Sequence, residues 1–230
     1  MKQLLLCVIL CTTLSSPAWA TMLDAWDFAG LPATTASTAT PATISATIGG
    51  GTIDVSAFNI GSPQGTNPER TSFAGAGAIN AFPGGESVAG TALALANSTA
   101  NGKSVLFIFS MSGYESLIVS FATRGTATGF NSGVWSWSTD NSTYTTLAGV
   151  NTATRTTTFG VATADFSTEL GLNDSATAYL QYTLSGATSS SGNNRLDNIQ
   201  FNATPIPEPT SLSLLGGIGL LAWQIIRRRK

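Results

Sequence analysis

Along the middle of the chain, apolar and polar positions alternate in short runs, each bounded by Gly, Asn, Ser or Pro. That rhythm marks strands and turns, because an amphipathic helix would repeat its apolar positions every three to four residues. It predicts strands over residues 25–29 (around Trp26 and Phe28), 43–48, 52–60, 87–97, 104–110, 116–123, 134–138, 143–147, 154–161, 176–185 and 195–202. Residues 43–48 and 52–60 flank Gly49-Gly50-Gly51 and read as a hairpin, and 134–138 and 143–147 flank the turn Thr139-Asp140-Asn141-Ser142. Val105 to Phe109 read as a continuous buried run. Ala178, Leu180, Tyr182 and Leu184 fall on one face by the period of two. Residues 165–172 allow one helical turn, and 31–41 read as a Thr/Ala/Pro-rich loop. With no convincing amphipathic helix, the expected fold is all-β, an antiparallel β-sandwich of jelly-roll type.

Composition agrees. The 24 Gly, 33 Thr and 26 Ser disfavour helix interiors, while 43 % hydrophobic residues are enough for a core. Charged residues are only 10 % of the chain. Residues 21–204 carry five basic and eleven acidic side chains, a formal charge of −6. The five cations are scattered, so nucleic acid is rejected as a partner. The chain has no His, and its two cysteines, Cys7 and Cys11, lie near the N-terminus. Ser–His and Cys–His nucleophilic sites and His/Cys zinc sites are therefore excluded from the body.

The two ends read as addresses. Lys2, an apolar run over 4–14 and Ala18-Trp19-Ala20 form a secretory signal peptide over 1–20, cleaved after Ala20 and delivered to the translocon. At the other end, Pro207-Glu208-Pro209 precedes an apolar stretch over 210–226 and the basic tail Arg227-Arg228-Arg229-Lys230. Counted from Thr210, that stretch of 17 residues would span about 25 Å as a helix, the short limit for a single transmembrane helix. The basic tail would stay cytoplasmic. Together the three parts resemble the PEP-CTERM sorting domain of Gram-negative bacteria, over residues 205–230. The resemblance implies that exosortase, an integral-membrane cysteine protease, recognises Pro207, Glu208 and Pro209 and removes the helix. The body, 21–204, would be an inner-membrane intermediate before reaching the cell surface or extracellular matrix. Two further stretches support the fold. Residues 136–144 resemble a hairpin of extracellular β-sandwich modules, and 192–199 resemble the last-strand entry of jelly-roll surface proteins and some carbohydrate-binding modules.

Chemistry in the body is sparse. Asp27, Asp197 and Asn198 offer hard oxygen ligands that a calcium ion would share if the first and last strands pair; otherwise Asp197 and Asn198 fix a turn. Trp135 and Trp137, two apart on one strand, with Tyr144 across the turn, would stack on sugar rings if exposed and fill the core if buried. Glu69, Glu86, Glu115 and Glu169 are the acids from which a glycoside hydrolase pair would be drawn, though none stands in a recognisable motif. Asn97, Asn141, Asn173 and Asn202 begin N-x-S/T sequons. The sequence favours a non-enzymatic exported protein with a structural or adhesive role. The alternatives are a surface module binding extracellular polysaccharide and, second, a secreted carboxylate-dependent hydrolase.

Overall fold

A computed structural model describes residues 19–32, 40–60, 68–85, 90–151 and 156–207. Ala18, Glu208, Pro209, the apolar stretch 210–226, the basic tail and Glu86 lie outside the described residues. Ala20–Pro205 form one compact unit.

Among the described residues, twelve strands build it: β1 Thr21–Trp26, β2 Thr43–Ser45, β3 Thr52–Asp54, β4 Arg70–Ala74, β5 Thr91–Ala96, β6 Ser104–Phe109, β7 Tyr114–Gly125, β8 Ser132–Ser138, β9 Thr145–Asn151, β10 Gly160–Asp165, β11 Ala178–Ser185 and β12 Asn193–Pro205. They form two six-stranded sheets. One runs β10-β7-β12-β5-β4 with β1 also on β12, and the other runs β2-β3-β6-β11-β8-β9. Every pairing is antiparallel. The fold is therefore the all-β sandwich expected from the alternation of the sequence.

The first and last strands do pair, with Thr21 opposite Ala203 and Trp26 opposite Ile199. The longest strand, β12, changes partner along one edge. Its first half pairs with β5 (Asn193 to Leu196) and its second half with β1, while β7 lies along the other edge. The register slips between Asp197 and Gln200, where the switch occurs, and Asn198 adopts φ 46° there. An extra residue at such a bulge bends the strand and lets it serve two neighbours.

The core lies between the sheets. On β11 the predicted face, Ala178, Leu180, Tyr182 and Leu184, is buried. Trp135 stacks on Tyr182 at 4.6 Å between ring centroids. Trp26 meets Phe107 and Phe201 edge-on at 5.9 and 5.2 Å, the arrangement that ring quadrupoles favour.

Several expectations shift. The 104–110 run alternates, with Val105, Phe107 and Phe109 buried and Leu106 and Ile108 half-exposed on the outer face of their sheet. Strand β4 was not expected, and β10 begins at Gly160, later than the pattern suggested. Asp27 falls just past β1. The helical turn is real but short, a 3-10 segment Leu170–Leu172.

Candidate functional site

The hydroxyl- and amide-rich sequence tightens its turns with side-chain caps. In the β8–β9 connection, Ser138 Oγ accepts from the N–H groups of Asp140 and Asn141, and Asp140 Oδ1 accepts from those of Ser142 and Thr143, both at 2.8 Å. Those backbone donors hold the exposed Asp140 carboxylate well below the usual carboxylate range.

The three aromatics weighed as a sugar-stacking strip or as core are separated by the fold. Trp135 is 1 % exposed, packed among Phe107, Phe121, Phe166 and Tyr182. Its ring belongs to the core and is closed to a sugar. Trp137 points the same way but sits at the rim of the core, half-buried, its Nε1 donating to Glu169 Oε2 at 2.8 Å. A Cβ at Gly171 would strike the Trp137 ring, so that glycine is what lets the 3-10 segment lie on the indole. Tyr144 is placed elsewhere. Its hydroxyl donates to Asn141 Oδ1 at 2.5 Å, and it neighbours Gln181 and Tyr179 on the outward-facing positions of β11. Burial pushes its phenol above the ordinary value.

The three side chains weighed for calcium are each engaged in local hydrogen bonds. Asp197, almost wholly buried, accepts from the Ala76 N–H (2.6 Å) and from the Asn198 N–H (2.9 Å). Asn198 Nδ2 donates to the carbonyls of Gly77 and Ile79, each at 2.8 Å. Both side chains pin the loop after β4 onto the bulge of β12, which is the turn-fixing role. Asp27 instead accepts from Thr47 Oγ1 and the Ala29 N–H, holding a different loop. Among the described residues no cluster of three or more acidic side chains is arranged to hold a metal ion.

Of the acids weighed for hydrolysis, Glu69 and Glu169 hold local contacts. Glu69, 3 % exposed, pairs with Lys103 and accepts from the Asn59 N–H and Thr99 Oγ1, both at 2.7 Å. Burial raises its pKa, but the bonds from Lys103, Asn59 and Thr99 outweigh it and the net direction is down. Glu169 serves Trp137. Glu115 lies on β7 opposite Thr204.

One carboxylate went unnoticed in the sequence. Asp24, on β1, is 3 % exposed, and its carboxylate accepts from the Gly51 N–H at 2.6 Å and from that of Gly50. Burial is the larger influence and pushes its pKa up. The Gly49-Gly50-Gly51 turn is moulded to it. Gly49 has φ +89°, and a Cβ at Gly51 would lie 2.8 Å from the Asp24 carboxyl carbon. Asp24 lines a cavity of about 490 Å³ with Met22, Leu23, Gly50, Gly51, Thr52, Phe109, Ser110, Ser112, Tyr114 and Thr177 among its walls. The signal for it was two separated pieces, a lone Asp and a glycine triplet, that only the fold joins.

Residues 205–230 match the family described as PEP-CTERM protein-sorting motif. No curated protein matches the chain. Among solved structures, an exo-beta-agarase is similar over 82 % of this chain and 25 % of that one, at 12 % identity and TM-score 0.44. A CBM22 tandem domain from Paenibacillus barcinonensis Xyn10C is similar over 85 % and 49 %, at 10 % identity and TM-score 0.42. The K3 adhesin domain of Lys-gingipain from Porphyromonas gingivalis is similar over 80 % and 99 %, at 14 % identity and TM-score 0.38. None of these reaches the similarity at which a ligand or an activity carries over.

Proposed function

We propose that this PEP-CTERM protein is a non-enzymatic export cargo, processed by exosortase at its tail and left at the cell surface or in the extracellular matrix, where it has a structural or adhesive role. The observation that carries the reading is the sorting motif, which begins at residue 205, the last residue of β12. Along the chain the body therefore leads directly into the address, with one residue between the end of β12 and Pro207-Glu208-Pro209. The weakly charged, hydroxyl-rich exterior supports a role in a hydrated polymer layer. Outward-facing Gln181 and Thr183 of β11, the Ser104–Thr183 hydroxyl pair and the edge residues Thr43 and Ser45 are polar and uncharged.

The test is the mature C-terminus by intact mass, with the protein recovered from the cell surface. Loss of everything after about residue 209, abolished by deleting exosortase or by Glu208→Ala, is the expected result. Recovery of chains still ending in Arg227-Arg228-Arg229-Lys230 would refute processing. Equal surface delivery after deletion of 205–230 would refute the sorting role.

A further inference from the structure

We infer that the cavity beside Asp24 binds a sugar unit of a neutral glycan. This rests on the adhesive reading and gives it a ligand.

The argument begins with the cavity's shape and lining. Its volume, about 490 Å³, falls within the roughly 300–1,000 Å³ typical of small-molecule sites. It opens where β1 meets the β2–β3 hairpin. Ala25 N–H donates to the Ile48 carbonyl at 3.0 Å there, and Thr47 N–H donates back to the Ala25 carbonyl at 2.7 Å. The wall is thus braced from both sheets, which keeps the site preformed.

The donor and acceptor balance selects the ligand class. Thr52, Ser110, Ser112, Tyr114 and Thr177 bring hydroxyls, each able to donate and accept. Asp24 brings a carboxylate with about four acceptor sites, of which the two glycine N–H groups occupy two. A carboxylate this deeply buried is costly unless its remaining lone pairs find donors. No Lys or Arg lines the cavity, so an anion finds no counter-charge. A polyol matches every feature. Its hydroxyls donate to Asp24 and exchange bonds with the ring of side-chain hydroxyls. Its apolar C–H face lies against Leu23, Phe109 and Tyr114. A bare cation would use the carboxylate but would gain nothing from the apolar wall.

The experiment titrates the full-length protein, purified in mild detergent, with soluble oligosaccharides of two to six units from β-glucan, xylan, mannan, galactan and α-glucan, by calorimetry. Binding of at least one series is expected. Asp24→Asn keeps an acceptor for the glycine turn and removes the charge. It should weaken binding roughly tenfold or more, the worth of one hydrogen bond to a charged acceptor. Ser110→Trp, at the exposed rim, should block the cavity without touching the core, so the test stands even if Asp24→Asn fails to fold. Tyr179→Ala, on the outer sheet face, should leave binding unchanged. No binding across the panel overturns the inference. So does binding that survives both Asp24→Asn and Ser110→Trp, whatever Tyr179→Ala does. Calcium binding that depends on Asp24, without sugar binding, also overturns it. A negative result here with a correctly processed C-terminus removes the glycan alone, whereas an unprocessed C-terminus removes exosortase processing and leaves the titration to judge the glycan by itself.

Discussion

Replacing Glu69 by Gln tests whether the buried ion pair helps join the two sheets. Glu69 immediately precedes β4 in one sheet, and Lys103 immediately precedes β6 in the other. The carboxylate also holds Asn59 beyond β3 and Thr99 in the 3-10 segment Ser98–Ala100. Glutamine is nearly isosteric and keeps one acceptor oxygen, but its NH2 group faces donors. One charge-assisted bond is lost, worth about 1.5–3 kcal/mol, and a buried donor is left without a partner. Lys103 retains some solvent contact (27 % exposed) and can rehydrate, which trims the loss. The net cost is about 2–3 kcal/mol. For a unit of this size each kcal/mol shifts Tm by about 2–4 °C, so the variant should melt about 4–12 °C lower at pH 7. The pH profile supplies a second reading. The folded pKa of Glu69 is depressed. Its contribution to stability is therefore full above the unfolded value near 4.5 and is lost as pH falls through the folded pKa. In Glu69→Gln that part of the acid destabilisation should vanish and the curve flatten. Near-UV circular dichroism melts between pH 2.5 and 7 measure both. A variant that melts with wild type at pH 7 and keeps the same acid slope would refute the account.

Asp24 should behave in the opposite sense. Its folded pKa is raised, so its proton favours the folded state, and its contribution to stability is fully present below pH 3.8 and lost as pH rises through the folded pKa. Asp24→Asn should therefore be at least as stable as wild type at pH 7 in thermal melts, and a large loss would contradict the burial argument. Trp135→Ala should cost about 3–5 kcal/mol, as expected for emptying a fully packed aromatic site; a denaturant midpoint close to wild type would place the indole outside the core. Asp197→Ala strips partners from the Ala76 and Asn198 N–H groups and should cost about 2 kcal/mol. Amide hydrogen exchange should localise the loss to residues 75–80, and uniform protection would show that the loop is held by other means.

Much of the fold was legible because alternation is local. A strand with one buried face needs apolar residues at every second position, and β11 shows that pattern without reference to any neighbour. The caps of the β8–β9 turn were equally readable, since Ser138 and Asp140 bond within three residues of themselves. Strand β4 was missed because Arg-Thr-Ser-Phe-Ala lacks the alternation. Thr71 and Ser72 are polar yet buried, and Ser72 Oγ is satisfied by the Pro32 carbonyl far away in sequence. The 104–110 run misled in the other direction, since Leu106 and Ile108 are apolar on an outward face.

By itself the sequence determined what short-range chemistry can encode, namely period-two strands, glycine and Asx turns, the absence of imidazole, and a tail whose three parts act in linear order. Tertiary structure decided which residues share a surface. It placed Trp135 inside, Trp137 at the rim and Tyr144 on an outer face, and it turned Asp197 and Asn198 into anchors for a loop some 120 positions earlier. It also set Asp24 against Gly51, 27 residues away. The physical reason is that backbone propensity and periodicity act over a few residues. Burial, pKa and the walls of a cavity depend on neighbours that strand pairing brings together, and no single segment specifies them.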